Sequence, residues 1–210
     1  MSRVEEYRAF RKASSELGKK VIKTALDGEA MDQGGKQLGV VHDKVLVFDD
    51  QTGPGVLADF TLFDCRVNGK NAFESYREMA GRENEAEEAI LDGFLASHTS
   101  LFRIASIAPG EATLILQDLL SHATNLKLVD VALSETASPG WLVFTRLVPF
   151  TEGLNMTSGI AFVFPGHLEA YLLRQYKKLA RNVRSDSEAA RRFVAFYELH
   201  KKNGLPIRYE

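Results

Sequence analysis

Four aspartates, Asp49, Asp50, Asp59 and Asp64, are the nearest thing to a catalytic constellation in the chain. Carboxylates gathered in one place hold hard cations such as Mg²⁺ through their oxygens, and a metal so held could serve a hydrolase. The spacing argues the other way. Asp49-Asp50 falls at a strand-to-turn corner, where an aspartate ahead of a helix caps free N–H groups. Asp59 and Asp64 stand at i, i+5 and so do not share a helix face. No metal is expected, and the four remain the only metal candidates.

The other reactive side chains are scattered. The histidines at 42, 98, 122, 167 and 200 stand singly, none with a second His or Cys at i+3 or i+4 to complete a metal-binding helix face. Cys65 follows Asp64 near the C-terminal end of an expected helix, whereas it is a helix N-terminus that depresses a thiol pKa. A buried, inert thiol is expected there rather than a Cys–His pair with His42 or His98. Gly34-Gly35-Lys36 lacks the spacing of a phosphate-binding loop, and there is no G-x-G-x-x-G, G-x-S-x-G or H-E-x-x-H. No catalytic residue and no cofactor emerge, so whether the chain is an enzyme stays open at this point.

One surface feature has a direction. Arg174, Lys177, Lys178 and Arg181 recur at i, i+3, i+4 and i+7, which places them on one helix face opposite Leu168, Leu172 and Leu179. Glu169, the only acid in that helix, lies off the stripe, so i, i+4 pairing cannot neutralise it. Arg184 extends the row. Either the stripe is a solvated face, or one docked on the rest of the chain, or it contacts nucleic acid or an acidic protein.

The charge distribution bears on that choice. Residues 1–28 hold 7 Lys/Arg against 4 Asp/Glu, residues 171–210 hold 10 against 4, and the middle holds 9 against 20. Basic ends around an acidic centre suggest terminal helices that dock on the middle. The chain has 210 residues, 45% of them hydrophobic and 26% charged, with one cysteine. That excludes a disordered or disulfide-stapled chain. Met1–Asp27 has no apolar signal core, and no run approaches the ~20 apolar residues of a membrane span. A cytoplasmic protein with no membrane partner is expected.

The elements that must position these residues are read from period and punctuation. Ser2 and Glu5 form a capping box, followed by Tyr7, Phe10, Ser14, Leu17, Val21 and Thr24 on one helix face, with Gly28 as the stop. Leu38–Val41 and Val45–Phe48 read as short β runs. Helices are expected over Val56–Arg66, Asn71–Ala80 and, after a break at Gly81, Glu83–Ser97. Near residue 100 the period changes to two. Strands follow at Leu101–Ala108, Ala112–Gln117, Leu126–Leu133, Trp141–Val148 and Gly159–Phe164, with Trp141, Val143 and Leu147 on one side and Leu142, Phe144 and Val148 on the other. Trp141 is expected to be buried. A helix runs from Pro165-Gly166 to about Asn182. A last one, capped at Ser185, runs to Lys202, ended by Asn203-Gly204 and Pro206.

Asp59-Phe60-x-x-x-Asp64, Asp118-Leu119-Leu120, Leu133-Ser134-x-Thr136-Ala137-x-Pro139-Gly140 and Met156-Thr157-Ser158-Gly159 together resemble a group of uncharacterised bacterial proteins. These have a helical N-terminal part followed by a small β region, and the resemblance covers roughly 35–165. It implies a layout and no activity. Some members end in a cysteine-rich zinc tail, whereas this chain ends in basic helices.

The expected fold is α+β in a single domain, 1–210. A mainly helical part spans 1–100, a small antiparallel five-stranded sheet or partly open barrel spans 101–164, and two helices close the chain over 165–210. The expected function is that of a non-enzymatic binding or adaptor module, with a metal-dependent hydrolase using the clustered aspartates as the alternative.

Overall fold

The computed structural model describes residues 2–26, 28–80 and 84–205. The expectations resting on Gly81, Glu83 and Pro206 lie outside the described residues. Helix α1 (Arg3–Ala25) opens on the capping box: the Glu5 N–H donates to Ser2 Oγ at 3.3 Å, and the Ser2 N–H donates to the Glu5 carboxylate at 2.7 Å. Tyr7, Ser14, Leu17 and Val21 form its buried face.

The glycines that follow do not break the chain as expected. Gly28 begins a helix, α2 (Gly28–Gln37), instead of ending one. A Cβ on Gly34 would stand 2.6 Å from Thr61 Oγ1, and one on Gly35 would stand 2.7 Å from Val41 Cγ2. Both glycines are therefore close-approach residues: they let α2 press against the helix that carries Thr61 and against the next hairpin. That hairpin pairs β1 (Val41–His42) with β2 (Val45–Leu46) through Asp43 and Lys44, whose φ angles are 50° and 65°. Two left-handed residues are what a two-residue hairpin turn requires.

Helix α3 (Gly53–Phe63) starts earlier than expected, with Pro54 in its first turn, where a missing N–H costs nothing. Helices α4 (Ala72–Ala80) and α5 (Glu85–Ala96) follow, the latter capped by Asn84, which accepts from the Glu87 N–H at 2.8 Å.

Five strands then close into a barrel: β3 (His98–Ala108), β4 (Thr113–Asp118), β5 (Leu126–Val129), β6 (Leu142–Thr151) and β7 (Leu154–Phe164), in the order β3-β4-β5-β7-β6. The sheet is neither purely antiparallel nor partly open. Four of its pairings are antiparallel, and β5 runs parallel to β7, with Lys127 opposite Leu154 and Leu128 opposite Asn155.

Two departures from the expected strand ends explain the closure. The β5 strand stops at Val129 because Asp130 caps a short helix, α6 (Val131–Thr136), accepting from the Leu133 N–H at 3.0 Å. The β7 strand begins at Leu154, well before Gly159, and its extra residues are those that reach β5. Closure leaves no unpaired edge.

The alternation along β6 holds. Val143 and Leu147 point into the barrel with Phe102, Ile104, Leu114 and Leu128, while Leu142, Phe144 and Val148 point outward into two helix-covered layers. Trp141 is only half-buried, because it sits ahead of β6 at the rim, straight after the Gly140 turn. Helices α7 (Glu169–Ala180) and α8 (Glu188–Asn203) cover one outer layer, and α1, α4 and α5 cover the other. The α8 cap is Ser187, whose Oγ accepts from the Ala190 N–H at 3.2 Å; Ser185 instead accepts from the Ser187 N–H.

Phe193 of α8 is 2% exposed and touches the rings of Phe60, Phe144 and Phe162, with centroids 5.2, 6.0 and 5.6 Å away. Phe193→Ala is expected to cost about 3–5 kcal/mol in chemical denaturation, the range for truncating a core aromatic.

Candidate functional site

Strand β6 is apolar from Leu142 to Val148 apart from Thr145 and Arg146. Thr145 satisfies its hydroxyl locally, donating to the Ile160 carbonyl at 2.7 Å. Arg146, on the outward set with Phe144 and Val148, is covered by α3 and is only 4% exposed. A guanidinium so buried needs carboxylates, and α3 supplies two. Nη2 donates to Asp64 Oδ2, and Nε stands 3.9 Å from Asp59 Oδ2. The guanidinium carbon lies 4.2 Å from the centre of the Phe63 ring, a cation–π contact. Asp64 caps the C-terminal end of α3, and from there it and Asp59 are both within reach of one planar fork.

Two carboxyls thus face one cation away from water. Burial pushes both pKa values up, that of Asp64 to about 6. Burial outweighs the opposing pull of Arg146 and the nearby Ser158 hydroxyl on Asp59. Arg146 bonds Asp64 directly and reaches Asp59 only at 3.9 Å, so its charge is shared unequally between the two carboxyls. The Ser158 Oγ and Asp59 Oδ2 atoms nonetheless lack hydrogen-bond geometry to any partner.

The four candidate aspartates therefore do not converge. Asp49 is exposed and pairs with Lys201 at 3.0 Å. Asp50 accepts from the Thr52 N–H at 2.8 Å, the Thr52 hydroxyl at 2.6 Å and the Gly53 N–H at 3.1 Å, which ties down the entry to α3. The Thr52 hydroxyl bond leads the causes that lower its pKa. Asp59 and Asp64 do meet, but their counter-ion is a guanidinium. Among the described residues no three His, Cys, Asp or Glu side chains gather as a metal site needs, and the hydrolase alternative loses its constellation.

Cys65 is buried, with Sγ 3.9 Å from the Ala30 carbonyl, and burial followed by the Asp64 charge pushes its thiol up to about 11. That fits an inert thiol. Two further motifs pin the fold. Asp118 accepts from the Ser100 hydroxyl at 2.6 Å and the Leu120 N–H at 2.8 Å. Asp130 accepts from the Thr157 hydroxyl at 2.9 Å.

The basic stripe is where the sequence placed it. Arg174, Lys177 and Lys178 stand exposed on α7, with Arg181 at its C-cap and Arg184 exposed beyond it. Leu172 is buried beneath the helix, and Tyr176 stacks on Phe196 of α8 at 5.1 Å. Glu169 is taken by Arg103, 2.5 Å away.

Several cations elsewhere on the terminal helices are engaged. Arg3 pairs with Glu111 at 2.8 Å, Lys20 with Glu87 at 2.6 Å, and Arg192 donates to the Thr99 carbonyl at 2.5 Å. Among the described residues, none of the four stripe cations makes an ion pair or hydrogen bond.

Arg146 escaped the sequence reading, which placed Ser14 on the α1 face and Ser158 in the Met156–Gly159 motif without a polar role for either. The available signal was Arg146 itself, a lone charge inside the apolar run of β6. The two serines carry no such mark.

Fold and site define an α+β protein in which, among the described residues, eight α-helices accompany a closed, mixed five-stranded barrel with a buried Asp-Arg-Asp cluster on its outer face. The chain belongs to the Family of unknown function (DUF7986), whose profile matches residues 1–210. No curated protein and no solved structure matches it. Among the described residues, no helix is long and apolar enough to cross a membrane.

Removing Arg146 leaves two buried carboxyls without a cation, whereas removing one carboxyl leaves a matched pair. Arg146→Met is expected to lose about 3–5 kcal/mol at neutral pH, part of which Asp64→Asn restores in the double variant. A folded-state carboxyl pKa raised from 3.8 to about 6 means that the native state binds more protons in that window, so stability falls as pH rises through it. In denaturation curves taken across pH 4 to 6, Asp64→Asn should therefore gain on the wild type as pH increases.

Proposed function

We propose that this protein is a non-enzymatic binding module of the cytoplasm that docks an acidic partner, nucleic acid or protein, on the exposed face of α7. The observation that carries the reading is the grouping of exposed cations on one helix face. Arg3, Lys20 and Lys201 are drawn into contacts with the acidic middle of the chain, while Arg174, Lys177, Lys178 and Arg181 stand in one exposed row without partners among the described residues. Such a row raises the local potential and attracts polyanions. Lys177 and Lys178 also lie in the last turn of α7, where the helix dipole favours cations. The helix is seated through Leu172 and Tyr176, so the row is held at fixed spacing. The single unpaired thiol of Cys65 suits a reducing compartment, and the helices packed on both outer layers of the barrel support a chain that acts as one unit over 1–210.

The test is binding of a generic duplex oligonucleotide and of polyglutamate at low and moderate salt. The protein is used intact and with Arg174, Lys177, Lys178 and Arg181 all changed to Glu. Four phosphate contacts would make log affinity fall against log salt with a slope of about −3.6, and the charge reversal should abolish binding. If neither probe binds at low salt, or if binding survives the reversal, α7 is not the docking face.

A further inference from the structure

A cavity of about 350 Å³ opens between α1, α3 and β7, beside Asp59 and apart from α7. Its size is at the lower end for small-molecule sites. Three of the oxygens on its lining residues, Ser14 Oγ, Asp59 Oδ2 and Ser158 Oγ, are buried and have no hydrogen-bond partner. Ser14 is 8% exposed and Asp59 7%. Buried polar atoms left unpaired are destabilising, and native structures keep few of them. Three around one cavity, one each from α1, α3 and β7, leave acceptor capacity open to a guest that donates. Phe63, Phe73 and Phe94 line the apolar part, packed on one another with centroids 4.6 to 5.3 Å apart. The lining also includes Arg11, whose Nη1 donates to the Thr157 carbonyl at 2.9 Å. Its Nη2 makes no bond, and a Cβ on Gly159 would stand 3.6 Å from it.

The chemistry of the guest follows from these groups. Arg146 donates to Asp64 and stands only at 3.9 Å from Asp59 Oδ2, an ion pair without a hydrogen bond, so Asp59 is the carboxyl with room for a second cation. An alkylammonium has three N–H donors and no acceptor, which matches three unpartnered oxygens. A carboxylate on the same guest would meet the free edge of the Arg11 guanidinium. An apolar side chain would lie against the three phenylalanines. We propose that the cavity binds a free α-amino acid with an apolar side chain, its ammonium on Asp59, Ser14 and Ser158 and its carboxylate on Arg11.

Binding then carries a proton step. Burial raises the Asp59 pKa, so a proton held there leaves to water as the entering ammonium forms a carboxylate–ammonium pair. The charged groups around Asp59 are Arg146 from β6, Asp64 from its own helix and Arg11 from α1. Burial also pushes Asp64 up, to about 6, and the Asp64→Asn variant removes that contribution.

The experiment is calorimetric titration, with thermal melting in parallel, using L-phenylalanine, L-leucine, phenethylamine and 3-phenylpropionate as probes. The two amino acids should bind and raise the melting temperature. Phenethylamine should bind at least tenfold more weakly, and 3-phenylpropionate should not bind. Affinity for L-leucine should rise as pH rises out of the acidic range, in the wild type and in Asp64→Asn alike.

Asp59→Asn should lose at least tenfold in affinity. It keeps the Arg146–Asp64 pair and so should stay folded. Gly18→Leu is the second variant: Gly18 lines the cavity, and no atom lies within 4 Å of a Cβ built there. It should block the probes without unfolding the helix. The proposal is overturned if neither amino acid binds at millimolar concentration. It is equally overturned if 3-phenylpropionate binds as well as phenylalanine, or if both variants bind like the wild type.

Discussion

The Arg146 guanidinium is the constraint on which the placement of the helices depends. It projects from the outer face of a barrel strand into a layer that is otherwise apolar, where an unmatched charge cannot persist. Only α3 brings carboxyls to it, one from its length and one from its C-cap. The position of α3 on β6 is thereby specified by charge geometry as well as by packing, and Phe63 closes over the guanidinium. The rest follows from where α3 sits. Helix α2 comes close enough to it to require a glycine at 34, and α1 lies across its other side, where the cavity forms.

Closure of the barrel is the second constraint. A five-strand sheet of this size with helices on its outside would leave edge strands open to pairing. Here the first residues of β7, Leu154 and Asn155, pair with the end of β6 on one edge and run parallel to β5 on the other. The chain reaches β6 through α6, which Asp130 starts, and Asp130 is in turn held by Thr157 of β7. A helix cap and a cross-barrel bond therefore share one carboxylate at the point where the sheet closes.

The polar groups fall into two kinds. Asp50, Asp118 and Asp130 are saturated by neighbouring donors and pin turns, caps and strand ends. Asp59, Ser14 and Ser158 are buried and unsaturated around one cavity. On the surface the same division separates cations engaged with the acidic middle from the free row on α7. The two sites occupy opposite kinds of environment, one enclosed and lined by rings, the other open and single-signed.

Much of this was legible in the sequence because it is local. The capping box at Ser2, the helix face through Val21, the stripe on α7 and the alternation along β6 depend on residues within a few positions of one another, and period alone reports them. Gly28 misled, since a glycine can stand at either end of a helix and no local signal distinguishes the two. Arg146 reaches an aspartate 82 positions away, and Arg11 a carbonyl 146 positions away. Those meetings, the parallel β5–β7 pair and the cavity depend on which surfaces face each other once the layers stack. By itself the sequence determined the elements and their polar and apolar faces. Only the tertiary structure decided which buried charges are matched and which oxygens remain without a partner, because that balance is struck between segments that no spacing along the chain relates.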